Sequence, residues 1–128
     1  MNLTLRLLPG ELSIARLDAT APLPAWLDLS APPLASVVRT GDELSIVCPS
    51  AQVPAGIRCE HGWRAFRIAG AIDFALTGVL ASVLDPLAAA EVGIFALSTF
   101  DTDYILVRTP QLELAGATLS AYFPIEQG

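Results

Sequence analysis

Two stretches of this sequence concentrate side chains suited to holding a charged small molecule. The first is Ser98-Thr99-Phe100-Asp101-Thr102-Asp103, a polar cluster between the apolar runs Ile94-Phe95-Ala96-Leu97 and Tyr104-Ile105-Leu106-Val107. An aspartate there suits an ammonium group. The plainer reading is a solvated turn in which Asp and Thr hydrogen-bond nearby backbone. The second is Asp73-Phe74-Ala75-Leu76-Thr77-Gly78-Val79, which leads into a helical pattern. The N–H groups after Thr77 lack intrahelical partners and, with the helix dipole, suit a carboxylate. The plainer reading here is a loop with Thr77 as N-cap and Gly78 merely permissive. Brought together across repeats or subunits, the two stretches would meet both charged ends of a free α-amino acid.

Catalytic chemistry finds less to work with. Asp101 and Asp103 form a carboxylate pair and His61 is a conceivable base. No nucleophile motif, phosphate loop or metal-ligand set accompanies them, so the expectation is a protein that is not an enzyme and needs no cofactor. Cys48 and Cys59 lack C-x-x-C spacing and share the chain with one His. They read as reduced structural thiols rather than zinc ligands. His61-Gly62 reads as an exposed turn between strands, and Trp26 and Trp63 as packing residues. Arg64 and Arg67, alternating on one strand, read as water-facing or as charge for a partner.

The elements that must position these residues follow from periodicity. Alternation predicts strands over 3–8, 12–17, 34–39, 43–47, 57–60 and 63–68. Thr40-Gly41-Asp42 reads as a hairpin turn. The proline-rich stretch 22–33 and the segment 49–54 hold one or two helical turns at most. Residues 77–91 form the convincing helix, with an apolar stripe of Val79, Leu80, Val83, Leu84 and Leu87. Gly93 falls where a helix C-terminus wants positive φ. Pro86 removes a hydrogen bond and predicts a kink, with Asp85 able to recap the chain there. Strands over 94–99 and 104–108, a short helix over 110–117 and a strand over 120–125 complete the pattern. The strands flanking the polar cluster are apolar on consecutive residues, which calls for burial on both faces.

Composition narrows the class. Hydrophobic residues make up 53% of the 128 and charged residues 16%, so a second buried surface such as a subunit interface is expected. A net charge of −6 with seven cationic residues argues against nucleic acid and anionic membranes. No export signal or clean membrane span is visible, which makes the cytoplasm the expected compartment.

Both halves read as strand, helix, strand, hairpin, strand, helix, strand. The segment 37–47 parallels 96–107 with one inserted residue. A βαββαβ unit repeated once is the ferredoxin-like pattern doubled, with a first repeat over 1–61 whose helices are short and a second over 62–128. Leu44-Ser45-Ile46-Val47-Cys48-Pro49, Gly62-Trp63-Arg64, Asp73-Phe74-Ala75-Leu76-Thr77-Gly78-Val79-Leu80-Ala81-Ser82 and the run from Ile94 through Ser98-Thr99-Phe100-Asp101-Thr102-Asp103 to Val107 resemble the small bacterial tandem ACT proteins. These are related to the CASTOR arginine sensors and to the regulatory ACT domains of aspartate kinases. The resemblance implies an α+β fold of two ACT repeats packed side by side, antiparallel sheets with helices on one face, and a homodimer. It implies a regulatory module binding a small molecule, an amino acid, between ACT units. The alternative is a ligand-free interaction domain with an unidentified protein partner. By match with the arginine sensors, Ser98, Thr99, Phe100 and Asp103 are the pocket positions. By match with the aspartate kinases, Asp73, Thr77, Gly78 and Val79 are. The arginine sensors have four ACT units and this chain has two, so the ligand's identity does not carry over.

Overall fold

The computed structural model describes residues 3–69 and 78–128. It is a mixed α+β structure with eight strands and two α-helices among these residues. The strands are β1 Leu5–Leu7, β2 Leu12–Leu17, β3 Ser36–Arg39, β4 Leu44–Pro49, β5 Cys59–Ile68, β6 Ile94–Ser98, β7 Asp103–Arg108 and β8 Ile125–Gln127. The helices are α1 Val79–Ala89 and α2 Leu112–Ser120. Chain contacts divide the molecule into two units, one of Gly10–Trp63 and one of Met1–Pro9 with Arg64–Gly128. The division falls two residues beyond position 61, and the first nine residues go with the C-terminal unit.

In the N-terminal unit the strand order is β3-β4-β2-β5, all antiparallel. Its core is Ala15, Leu44, Ile46 and Cys48, with Trp26, Leu27, Val53 and Ile57 among the residues packed against it. Among the described residues this unit holds no α-helix. A single 3-10 turn, Ser50–Gln52, follows β4, and the proline-rich stretch forms turns. Pro at several positions removes the donors a helix would need.

Two expected strands with a turn at His61-Gly62 are one strand, β5. Leu12 pairs with Trp63 and Ile14 with Glu60, so Ser13 alone opposes both His61 and Gly62. This is a β-bulge, and Gly62 takes φ 78°, a conformation that disfavours side chains. The glycine read as a turn signal instead lets the strand continue.

In the C-terminal unit the order is β6-β7-β5-β1-β8. β1 lies between β5, to which it is antiparallel, and β8, to which it is parallel. That parallel pair departs from the antiparallel sheets expected. Val79, Val83 and Leu87 of α1 and Ala115 and Leu119 of α2 face a core with Leu5, Phe66, Ile68, Ile105 and Val107. Their i, i+4 spacing is the stripe the sequence shows.

Four local expectations change. The α1 helix runs continuously across Pro86, with no recapping at Asp85. Its left-handed C-terminal residue is Glu91 at φ 61°, and Gly93 has no positive φ. Val92 N–H donates to Leu87 C=O at 2.9 Å and Glu91 N–H to Ala88 C=O at 3.0 Å, a Schellman pair, because α1 stops at Ala89 rather than at 91. The last helix extends to Ser120, which moves the final strand to β8. Finally, β7 is buried on consecutive residues, Ile105, Leu106 and Val107, but β6 at the end of the strand order is half-exposed, with Ile94 at the surface.

Candidate functional site

The Ser98–Asp103 hairpin joins β6 to β7. Ser98 pairs with Asp103 in register, and the Ser98 hydroxyl donates to Asp103 Oδ1 at 2.5 Å. Thr99 N–H donates to Thr102 C=O at 2.8 Å, and the Thr99 hydroxyl donates to the same carbonyl at 3.2 Å. Thr102 is buried, and its hydroxyl donates to Ile68 C=O at 2.6 Å, tying the tip to β5. Thr102 was not among the expected site residues, and its role is to anchor the loop. With the tip so fixed, Phe100 stands 81% exposed. Asp103 keeps a second carboxylate oxygen beyond the one Ser98 holds, so the turn chemistry and an ammonium partner are compatible.

At the other expected element, Asp73 and Thr77 lie outside the described residues. Gly78 is the N-cap of α1, left-handed at φ 77°, and makes no side-chain cap. Val79 is buried in the core, so its side chain packs rather than faces a ligand. Its backbone remains in the first turn, where Ser82 N–H already donates to Gly78 C=O at 2.9 Å. The positions 78–79 and 98–103 all belong to the C-terminal unit.

Two arrangements in the N-terminal unit escaped sequence reasoning. The bulge turns His61 into a bridge. Its Nδ1 lies 2.6 Å from the Ser13 hydroxyl, which lies 2.8 Å from the Ser50 hydroxyl, and its Nε2 lies 3.0 Å from Cys59 Sγ. His61 is therefore not merely an exposed turn residue. Hydroxyl, imidazole and thiol in one chain resemble a nucleophile with its base, but the chemistry is the wrong way round. Ser13 is fully buried. Burial and then the charge of Glu60 push the Cys59 thiol up, whereas a reactive thiol is pushed down. Burial, and then the charge of Cys59, push Cys48 up as well. The bridge satisfies the buried Ser13 hydroxyl at the bulge. Among the described residues no group of three or more His, Cys, Asp or Glu is placed to hold a metal ion.

The second arrangement is a cleft of about 380 Å³ at the end of β2, with Arg16, Asp18 and Arg58 on its rim and Leu17, Ala21 and Ile57 as apolar lining. The signal for it is faint in sequence. Arg16 and Arg58 are far apart in sequence, and only the pairing of β2 with β5 brings their backbones together. No helix among the described residues is long and apolar enough to cross a membrane.

Comparison with known proteins places this geometry. The sequence pattern of the ACT domain matches residues 58–121, half of the chain, and that of an N-terminal domain family matches residues 10–56. The structure is similar to that of a protein from Agobacterium tumefaciens, 39% identical, with a TM-score of 0.91 over 100% of this chain and 95% of that one. A Vibrio cholerae protein of unknown function shares the fold at 16% identity, with a TM-score of 0.75 over 94% of this chain and 89% of that one. So does the aspartate kinase of Clostridium acetobutylicum, an allosteric enzyme, at 10% identity and a TM-score of 0.66, over 90% of this chain and 33% of that one. With the matched pattern covering the helix start at Gly78 and the whole Ser98–Asp103 hairpin, this chain belongs to the ACT domain family.

Proposed function

We propose that the chain is a non-catalytic regulatory module that senses a free amino acid at an interface between ACT units. ACT domains are regulatory small-ligand-binding modules, and the two stretches suited to an amino acid's charged ends both include residues inside the matched domain. The observation that carries the reading is the hairpin tip. Its backbone is held by Thr99 and Thr102, Phe100 stays 81% exposed, and the Ser98 hydroxyl fixes the Asp103 carboxylate at the base of the turn. A preorganised loop carrying an exposed aromatic and an acid binds with little ordering cost. In this reading the two units are ferredoxin-like repeats, of which the C-terminal one keeps its helices and the N-terminal one has no α-helix among the described residues. The strand orders β3-β4-β2-β5 and β6-β7-β5-β1-β8 support it, since removing β1 from the second leaves the same relative order as the first. The Asp73–Val79 stretch would hold the ligand's carboxylate and a second copy would complete the site.

A ligand-free interaction domain is the second reading, favoured by the exposed Phe100, Leu114 and Tyr122 of the C-terminal unit. A thermal-shift screen against the twenty amino acids separates the two. A ligand that binds only the native state at about a hundred times its Kd adds about 2.7 kcal/mol. One selective stabiliser, weakened in Phe100→Ala and Asp103→Ala, supports the sensor. A flat screen supports the interaction domain, and an undiminished shift in Asp103→Ala removes Asp103 from the site.

A further inference from the structure

The two helices of the C-terminal unit lack the polar outer surface that water-facing helices carry. Val79, Val83 and Leu87 of α1 and Ala115 and Leu119 of α2 turn into the core. On the opposite side of α1, Ala81, Asp85 and Ala88 are exposed at i, i+4 and i+7. On α2 and its C-cap, Leu114, Ala117 and Ala121 are exposed at i, i+3 and i+7. Each set is one ridge pointing away from the core. α1 packs against α2, so both ridges belong to one layer. A helix with one side in water places charged and polar residues there, and a helix apolar all round is normally covered. Here Asp85 is the one polar residue of the two ridges.

The charges around the ridges have a single sign. Asp85 and Glu113 stand on the helices and Glu91 follows α1, all three exposed. From Ala69 to Gly128 the sequence carries seven acids and one cation, Arg108, which lies on β7 rather than on a helix. A second copy meeting this face with its own would set acids against acids, which disfavours that pairing. An anionic lipid surface is repelled for the same reason. A cationic partner is attracted. The shape of the face then narrows the partner's structure. A helix surface offers no free backbone N–H or C=O along its length, so the partner segment must satisfy its own backbone. A helix does so, and an added strand does not. Alanine ridges also let another helix approach at the close end of the usual spacing, about 8–10 Å between axes.

We infer that the outward face of α1 and α2 is a docking surface for a basic amphipathic helix of a partner protein. The partner's large apolar side chains pack over Ala81, Ala88, Leu114 and Ala117, and lysines or arginines flanking its apolar stripe meet Asp85, Glu91 and Glu113. Each ridge spans about 10 Å at 1.5 Å per residue, so about two turns of the partner helix are engaged. The acids steer the encounter and exclude acidic segments. Burial of the apolar ridges sets the lifetime of the complex. The face does not include the Ser98–Asp103 hairpin, so the inference holds whether or not an amino acid binds there.

Fluorescence anisotropy of a labelled leucine–lysine peptide, patterned as an amphipathic helix of about four turns, tests the inference on the full chain. A scrambled peptide of the same composition and a leucine–glutamate helix are the comparison probes. Saturable one-to-one binding of the leucine–lysine helix is expected, about tenfold or more tighter than the scrambled peptide, with no binding of the acidic helix. Ala117→Arg sets a long cation in the ridge and should weaken binding about tenfold or more. Asp85→Asn with Glu113→Gln should weaken it about fivefold, the effect of losing two exposed ion pairs, and lessen its salt dependence. Asp18→Asn with Asp42→Asn removes the same charge from the N-terminal unit and should change binding by less than about twofold. All five positions are exposed, so the variants should fold, and an unchanged melting curve checks that. Three peptide results would overturn the inference: no saturable binding, equal binding of the scrambled peptide, or undiminished binding in Ala117→Arg. A dimer in sedimentation equilibrium that Ala117→Arg dissociates would also overturn it, by assigning the face to a second copy. The amino-acid thermal-shift screen reads the hairpin separately, so failure of either reading leaves the other standing.

Discussion

Replacing Glu91 by glycine tests how α1 ends. Glu91 adopts φ 61°, the left-handed conformation in which a side chain crowds its own carbonyl. That conformation costs a non-glycine residue about 1–2 kcal/mol, while glycine loses about 0.5–1 kcal/mol more backbone entropy on folding. The substitution also removes a carboxylate from the negative end of the helix dipole, a gain of a few tenths of a kcal/mol. The net is a stabilisation of about 0.5–1 kcal/mol, which raises Tm by about 2–5 °C in a chain of this size. The Schellman bonds from Glu91 N–H and Val92 N–H use backbone only and survive the change. Gly93→Ala is the matched control. Gly93 has no positive φ, and a Cβ there meets nothing within 4 Å, so Tm should stay level or rise slightly. Thermal melts by circular dichroism read both variants. A lower Tm for Glu91→Gly, or a loss of about 1 kcal/mol or more for Gly93→Ala, would refute the reasoning and return the left-handed position to Gly93.

Other consequences are equally direct. Leu87→Ala empties a fully buried site in the C-terminal core, and urea unfolding should show a loss of about 2–5 kcal/mol. Thr102→Val removes the hydroxyl bonded to Ile68 C=O at nearly constant volume, for a loss of about 1–3 kcal/mol by the same measurement. The Ser30 hydroxyl, and then its N–H, hold the Asp28 carboxyl below its ordinary value. A depressed folded pKa contributes stability above the unfolded value and loses it as pH falls. Ser30→Ala should therefore move Asp28 up toward its ordinary carboxylate value in an NMR titration and flatten that acid dependence. Cys48 and Cys59 are raised instead, so their contribution is complete below the unfolded thiol value and fades as pH rises through the folded one. Native-state alkylation by iodoacetamide should accordingly lag behind that of the unfolded chain near pH 8, with Cys48, buried completely, slower than Cys59.

What the sequence by itself determined is local. Alternation located β2 residue for residue, the helical stripe located the core face of α1, and the polar run between two apolar ones located the β6–β7 hairpin. The motifs around that hairpin also carried the family, because a long stretch of ordered residue types is specific in a way that a single glycine or proline is not. The signals that misled were single residues. Gly62 and Gly93 carry the same freedom in sequence, yet one serves a bulge and the other serves nothing left-handed, since which residue must take positive φ depends on where its neighbours pair or stop. Tertiary structure alone decided the rest. β1 enters the C-terminal unit between β5 and β8, His61 meets Ser13 across the bulge, and Arg16 N–H meets Arg58 C=O across β2 and β5. Each joins residues tens of positions apart. Strand partner and register are set by how whole apolar faces are buried together, and no short window of sequence contains that sum.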